Sequence, residues 1–95
     1  MRLPPNYAEF FKAEVAALRP GGAVYLFGSR TDDTRRGGDV DILVLSEPKL
    51  SWNEAAGIRR RFWERFGFQK VDLVCGSPQD RGAFQQLVLL DAIRL

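Results

Sequence analysis

The feature that most constrains this chain is a glycine-serine turn followed, after nine residues, by two aspartates that open an apolar segment. An apolar run at Ala23–Phe27 leads into Gly28-Ser29, and Asp39 and Asp41 begin the second run. Short apolar runs bounded by glycine are typical of buried strands. A tight turn with exposed amides suits phosphate, and paired carboxylates suit a divalent metal. The combination predicts a site for a nucleoside triphosphate.

The two aspartates are predicted to share one face of a strand covering residues 39–45. Side chains alternate along a strand, so Asp39 and Asp41 point the same way, about 6.6 Å apart. An unpaired charge at Asp41 among apolar neighbours would be costly. A metal ion removes that cost. As an alternative to a metal ion, the two aspartates form ion pairs with Arg30, Arg35 or Arg36.

A third carboxylate, Asp72, lies inside another apolar run, predicted as a strand over residues 68–75. One interpretation places Asp72 on the exposed side of an edge strand. The other pairs this strand with the second one, so that Asp72 faces Asp39 and Asp41. In that arrangement Asp72 completes a metal cluster or takes a proton from an attacking hydroxyl.

The amino-acid composition limits the kinds of catalytic group and metal site that this chain can contain. The chain has no histidine and one cysteine, Cys75, which excludes histidine bases, an internal disulfide and an ordinary zinc site. Catalysis must then use carboxylates, arginines, hydroxyls and a hard metal. A net charge of +2 is too small to indicate nucleic acid. No apolar run or leader pattern indicates a membrane, so a cytoplasmic protein is expected.

The predicted elements alternate as helix, strand, short helix, strand, helix, strand, helix. This order predicts an α/β (α+β) fold, with a small three-stranded mixed sheet flanked by helices, in a single domain over residues 1–95. Asn6 with Glu9, and Ser51 with Glu54, are predicted capping boxes. Ser77 with the next proline predicts the start of the last helix. The predicted apolar helix faces are Phe11, Val15 and Leu18; Ala55, Ile58, Phe62 and Phe66; and Phe84, Leu87 and Val88.

The third predicted helix carries an arginine cluster at positions 59–61, with Arg65, among aromatic residues. Such a mixture can form a nucleic-acid surface. Helical spacing instead favours aromatic side chains in the core and arginines on a solvated face. Trp52 and Trp63 fit this core less easily, and if exposed they would form an apolar patch suited to a protein partner.

The segments Gly28-Ser29-Arg30, residues 32–33 and residues 35–44 resemble the signature of the minimal nucleotidyltransferases (MNT), a small branch of the DNA polymerase beta nucleotidyltransferase superfamily. The resemblance runs over nearly the whole chain, including the strand with Asp72 and a last helix closing at residues 92–95. It implies the nucleotidyltransferase fold. All three acidic positions of the family pattern are filled.

The resemblance also implies roles for individual residues. Gly28 and Ser29 would hold the triphosphate, Asp39 and Asp41 would bind Mg²⁺ in a two-ion site, and Asp72 would complete it. Whether Asp72 acts as base or as metal ligand stays open. Arg30, next to the serine, is the candidate phosphate clamp, because cationic side chains stabilise charge on a transferring phosphate.

The activity implied by the resemblance is transfer of a nucleoside monophosphate, expected to be AMP, from an NTP to a hydroxyl, with release of pyrophosphate. The expected acceptor is a partner protein, a HEPN-domain toxin, because the chain is too short for a separate substrate domain. The alternative is an antitoxin that neutralises such a toxin by complex formation without catalysis. Transfer to nucleic acid or to a small molecule such as an aminoglycoside is a third, less favoured interpretation.

Overall fold

The computed structural model describes residues 3–28 and 39–95 as three helices around one mixed sheet. The predicted short helix after Gly28, together with Ser29 and Arg30, lies outside the described residues. In chain order the elements are α1 (Pro5–Leu18), β1 (Ala23–Phe27), β2 (Val40–Leu45), α2 (Trp52–Phe66), β3 (Val71–Gly76), α3 (Ala83–Asp91) and β4 (Ile93–Arg94). None of these helices is long and apolar enough to cross a membrane.

The sheet has the strand order β3-β2-β1-β4. β1 runs antiparallel to β2 and to β4, whereas β2 and β3 are parallel. The predicted α+β class and mixed sheet are confirmed. The predicted strand number is wrong, since the described residues form four strands. β4 has only two residues, Ile93 and Arg94, which pair with Leu26 and Tyr25. Because β4 is too short to show the two-residue alternation of a strand, the sequence was interpreted there as the end of the last helix.

The hydrophobic core lies between one face of the sheet and the helices α1 and α2. Val40, Ile42 and Val44 occupy alternate positions of β2 and are completely buried against these helices. From the helices, Phe11 and Phe62 meet as stacked rings with centroids 5.2 Å apart. This pattern fixes the register of β2, because a slip by one residue would turn its valines outward.

The two predicted capping boxes have different outcomes. At α2, Ser51 Oγ accepts a hydrogen bond from the Glu54 amide at 3.1 Å, and Glu54 Oε1 accepts one from the Ser51 amide at 2.9 Å. That prediction is confirmed. At α1 the prediction from Asn6 and Glu9 is wrong, because the helix begins at Pro5 with Pro4 as N-cap and has no side-chain cap. Proline at the first helical position starts the helix ahead of Asn6.

The start and the apolar face of α3 were predicted wrongly. Residues 77–82 form a loop, and the helix begins at Ala83. Gln85 is buried and donates from Nε2 to the carbonyl oxygens of Ser77 at 3.0 Å and Asp80 at 3.3 Å. These bonds turn Gln85 toward the sheet. Phe84 and Leu87, predicted to be core residues, are therefore 58% and 66% exposed.

Candidate active site

Asp41 and Asp72 lie side by side on the sheet face opposite α1 and α2. Phe27, Asp41 and Asp72 form one row across the strands β1, β2 and β3. Because the valines and isoleucine of β2 occupy the helix-covered face, the alternation of the strand directs Asp41 to the other face. Directly opposed residues on paired strands are neighbours, and the side chains of Asp41 and Asp72 are hydrogen-bonded to each other. The predicted pairing of the second and third strands is thus observed.

This contact perturbs the acidity of Asp41. The pKa of Asp41 is raised to about 6, first by burial and then by the hydrogen bond and the negative charge of Asp72. The charge of Asp39 acts in the same direction, whereas Lys70 opposes it. Two adjacent carboxylates cannot both ionise without mutual repulsion. Asp41 therefore holds a proton at a pH where an isolated aspartate has lost it, and a cation in place of that proton would relieve the same repulsion.

Asp39 occupies a more open position than Asp41. It directly precedes β2, its side chain is 46% exposed, and Lys70 Nζ lies 3.8 Å from its Oδ2. Within residues 3–28 and 39–95, no three acidic side chains converge closely enough to share one metal ion. The structure thus brings Asp41 and Asp72 into contact, while Asp39 acts on Asp41 through its charge.

Gly28 ends β1 directly against the Asp41 carboxylate. Its φ of +79° lies in the left-handed region that favours glycine. A Cβ at this position would overlap the Asp41 carboxylate, lying 3.0 Å from Cγ. Only glycine allows this close approach of backbone to carboxylate. The position predicted from the sequence for phosphate is therefore adjacent to the position predicted for metal.

Asp41 and Asp72 line a cavity of about 370 Å³ on this face of the sheet. Two further residues of its wall, Arg59 from α2 and Phe84 from α3, were not assigned to the site from the sequence. Helical spacing placed Arg59 on a solvated face and Phe84 in the core. No local pattern could indicate either position, because both depend on how the helices meet the sheet at β3.

The two tryptophans differ in their surroundings. Trp52 is 77% exposed at the start of α2, as a partner surface would require. Trp63 is half-buried against the core and donates from Nε1 to the Gln69 carbonyl oxygen at 2.7 Å. Trp63 therefore has a structural role in joining α2 to the segment that precedes β3.

The donor set of the site fits magnesium. Carboxylate oxygens are the ligands that Mg²⁺ prefers, and it is commonly held by one or two carboxylates together with substrate phosphates. Burial and then the hydrogen bond and charge of Asp72 raise the pKa of Asp41, and the Asp41 carboxylate occupies the space that a Cβ at Gly28 would fill. Asp41 and Asp39 are the residues that would hold the ion, with Asp72 beside them.

Comparison with known proteins identifies the family of this chain. Residues 20–95 match the family described as Polymerase beta, Nucleotidyltransferase. The chain belongs to this nucleotidyltransferase family. The predicted superfamily and its fold are thereby confirmed. A search of curated proteins finds no match.

Two solved structures share the fold. A mutant of the toxin-antitoxin MntA-HpeT superposes with a TM-score of 0.71 at 23% identity, over 98% of this chain and 72% of that chain. A toxin-antitoxin with AMP-PNP superposes with a TM-score of 0.70 at 21% identity, over 92% of this chain and 70% of that one. At these levels of sequence identity, the structural similarity establishes the fold alone.

Proposed function

We propose that this nucleotidyltransferase domain transfers a nucleoside monophosphate, AMP, from Mg²⁺-bound ATP to a hydroxyl of a partner protein and releases pyrophosphate. The observation that carries the proposal is the hydrogen-bonded pair of Asp41 and Asp72 next to the backbone of Gly28. This arrangement places carboxylates that can bind a cation next to a backbone segment that a phosphate can approach closely. The partner proposed is a HEPN-domain toxin.

The predicted site residues have separate parts in this reaction. Gly28 lets the triphosphate approach the sheet, and Ser29 with Arg30 would bind its outer phosphates. Asp39 and Asp41 would hold Mg²⁺, which would supply positive charge to the phosphate oxygens and to the leaving pyrophosphate. The acceptor oxygen bonds to the α-phosphorus as the bond to pyrophosphate breaks.

Asp72 suits the role of proton acceptor. It is exposed, whereas Asp41 is partly buried, so a substrate hydroxyl can reach the Asp72 carboxylate. The hydroxyl proton moves to that carboxylate as the new phosphorus–oxygen bond forms. The proton is then passed to solvent, which the exposure of Asp72 permits.

A toxin as acceptor is supported by the surface and by the structural neighbours. The two solved structures described above are both toxin-antitoxin structures. On α3, Phe84, Leu87 and Leu90 are exposed large apolar side chains three residues apart. Trp52 adds another. Exposed apolar side chains of this size are typical of protein-binding surfaces.

The same exposed side chains support a second candidate function, an antitoxin that neutralises its partner by complex formation alone. Binding through α3 and Trp52 requires none of the chemistry at Asp41. The two functions therefore differ in their dependence on the carboxylates. A change at Asp41 abolishes the first function and leaves the second intact.

The deciding experiment is label transfer from α-labelled ATP and the other NTPs, with Mg²⁺, to the protein encoded beside this one. Asp41→Asn is the test variant. Glu9→Gln is its matched control, because it removes an exposed carboxylate on α1, away from both the site and α3. Label on the partner that is lost only in Asp41→Asn supports the transferase. A stable unlabelled complex with wild type and both variants supports the binding antitoxin.

A further inference from the structure

Arg59 extends from the helix layer to the cavity that contains the two hydrogen-bonded aspartates. It lies on α2 and is half-buried, and it lines this cavity with Asp41 and Asp72. Its positive charge also interacts electrostatically with Cys75 on β3. Because β3 is the edge strand of the sheet, these contacts place Arg59 at the outer border of the cavity, on the β3 side.

The ionic surroundings of Arg59 differ from those of other arginines. Arg61 pairs with Glu14 at 2.6 Å, and Arg19 pairs with Glu54 at 2.8 Å. No carboxylate in the described part of the chain forms such a pair with Arg59, and the cation that offsets the charge at Asp41 is Lys70. A half-buried guanidinium that lines a cavity without an ion pair is placed to bind an anion supplied by a ligand.

The order of groups across the sheet indicates which ligand that is. Gly28, directly after β1, comes first, then Asp41 on β2, then Asp72 on β3, with Arg59 beyond it. In an in-line displacement the attacking and leaving oxygens lie on opposite sides of the phosphorus. With the leaving pyrophosphate at Gly28, the acceptor hydroxyl approaches from the β3 edge. Arg59 is therefore on the side of the acceptor.

We infer that Arg59 binds a carboxylate of the protein acceptor, so that the preferred acceptor hydroxyl has an aspartate or glutamate close to it in sequence. This inference rests on the proposed function, since it names a property of that reaction's acceptor. A guanidinium binds a carboxylate through two parallel hydrogen bonds, which fixes position as well as charge. Phe84, 58% exposed on another wall of the cavity, offers an apolar surface to the side chain that carries the hydroxyl.

The test measures binding without requiring transfer. Fluorescein-labelled ten-residue peptides contain a central tyrosine or serine flanked either by aspartates or by asparagines, and anisotropy is recorded with Mg²⁺ and AMP-PNP. Wild type is expected to bind the aspartate peptides about tenfold or more tighter than the asparagine peptides, as for a charge-assisted bidentate pair. Arg59→Ala removes this preference and Arg59→Lys restores part of it. Arg60→Ala, an exposed neighbour on α2, keeps it.

Several outcomes would overturn the inference. Equal affinity for both peptide types, or binding of neither, removes the basis for an acidic acceptor. An equal loss in Arg59→Ala and Arg60→Ala indicates general attraction to a basic helix. Weaker AMP-PNP binding in Arg59→Ala alone places Arg59 on the triphosphate. Failure of the proposed function is seen separately, as absence of label on the partner in the transfer assay.

Discussion

Replacing Asp41 by asparagine is expected to stabilise the protein at neutral pH while abolishing its activity. The reason is the burial of the Asp41 carboxylate together with its repulsion by the neighbouring carboxylates. Burial, Asp72 and Asp39 together raise the pKa of Asp41 to about 6. The folded protein therefore binds more protons than the unfolded chain between about pH 4 and pH 6, and the free energy of unfolding falls as the pH rises through that window. Above it, the charged site opposes folding in full.

The size of this effect follows from the pKa. A rise from the ordinary aspartate value to about 6 corresponds to about 3 kcal/mol for the fully charged form. Asp41 is only partly buried, so solvent screening reduces this to about 1–2 kcal/mol. Asparagine has nearly the same shape, carries no charge and can donate a hydrogen bond to Asp72. For a domain of this size the gain raises the melting temperature by about 5–10 °C.

The assay is thermal unfolding at pH 5 and pH 8 without divalent metal. Asp41→Asn should gain most at pH 8 and about half as much at pH 5, which lies in the middle of that window. Asp91→Asn, at an exposed position, should show the same small change at both values. A melting temperature for Asp41→Asn that is unchanged or lower at pH 8, or a gain independent of pH, would refute the reasoning.

Three further substitutions test the neighbouring parts of the account. Gly28→Ala places a Cβ against the Asp41 carboxylate at a positive φ; unfolding should show a loss of about 1–3 kcal/mol, and calorimetry a weaker affinity for AMP-PNP. Phe62→Ala should cost about 3–5 kcal/mol, whereas Phe68→Ala, at a position 83% exposed, should cost far less by denaturant titration. Gln85→Leu removes two hydrogen bonds to the loop before α3; a loss of about 1–2 kcal/mol is expected, and an unchanged midpoint would contradict that role.

The sheet and the carboxylate pair were predictable because their signals are local. An aspartate between valine and isoleucine in a strand must face away from the core that those residues fill, which fixed the direction of Asp41. Gly28 at the end of a strand indicated a turn, and its positive φ agrees. The pairing of β2 with β3, which joins Asp41 to Asp72, was one of two interpretations left open by the sequence, and the structure shows that the strands pair in parallel.

The remaining features depend on contacts distant in sequence. β4 consists of two residues and is defined by its pairing with β1. A strand this short has no alternation of apolar and polar residues from which it could be predicted. Apolar spacing favoured Phe84 and Leu87 as core residues, but the hydrogen bonds of Gln85 orient α3 the other way. Arg59 has the sequence context of a surface residue. Its place beside Asp72 arises only when α2 packs next to the edge strand.

The most direct test of the site is a crystal structure with AMP-PNP and Mn²⁺, in which anomalous scattering locates the metal. The account predicts a peak about 2.1 Å from a carboxylate oxygen of Asp41, a distance typical of small divalent cations. The triphosphate should lie over Gly28, with no comparable peak in Asp41→Asn. Metal and nucleotide bound together at another surface, or a peak that persists in Asp41→Asn, would contradict the central claim that these residues form the nucleotidyltransferase site.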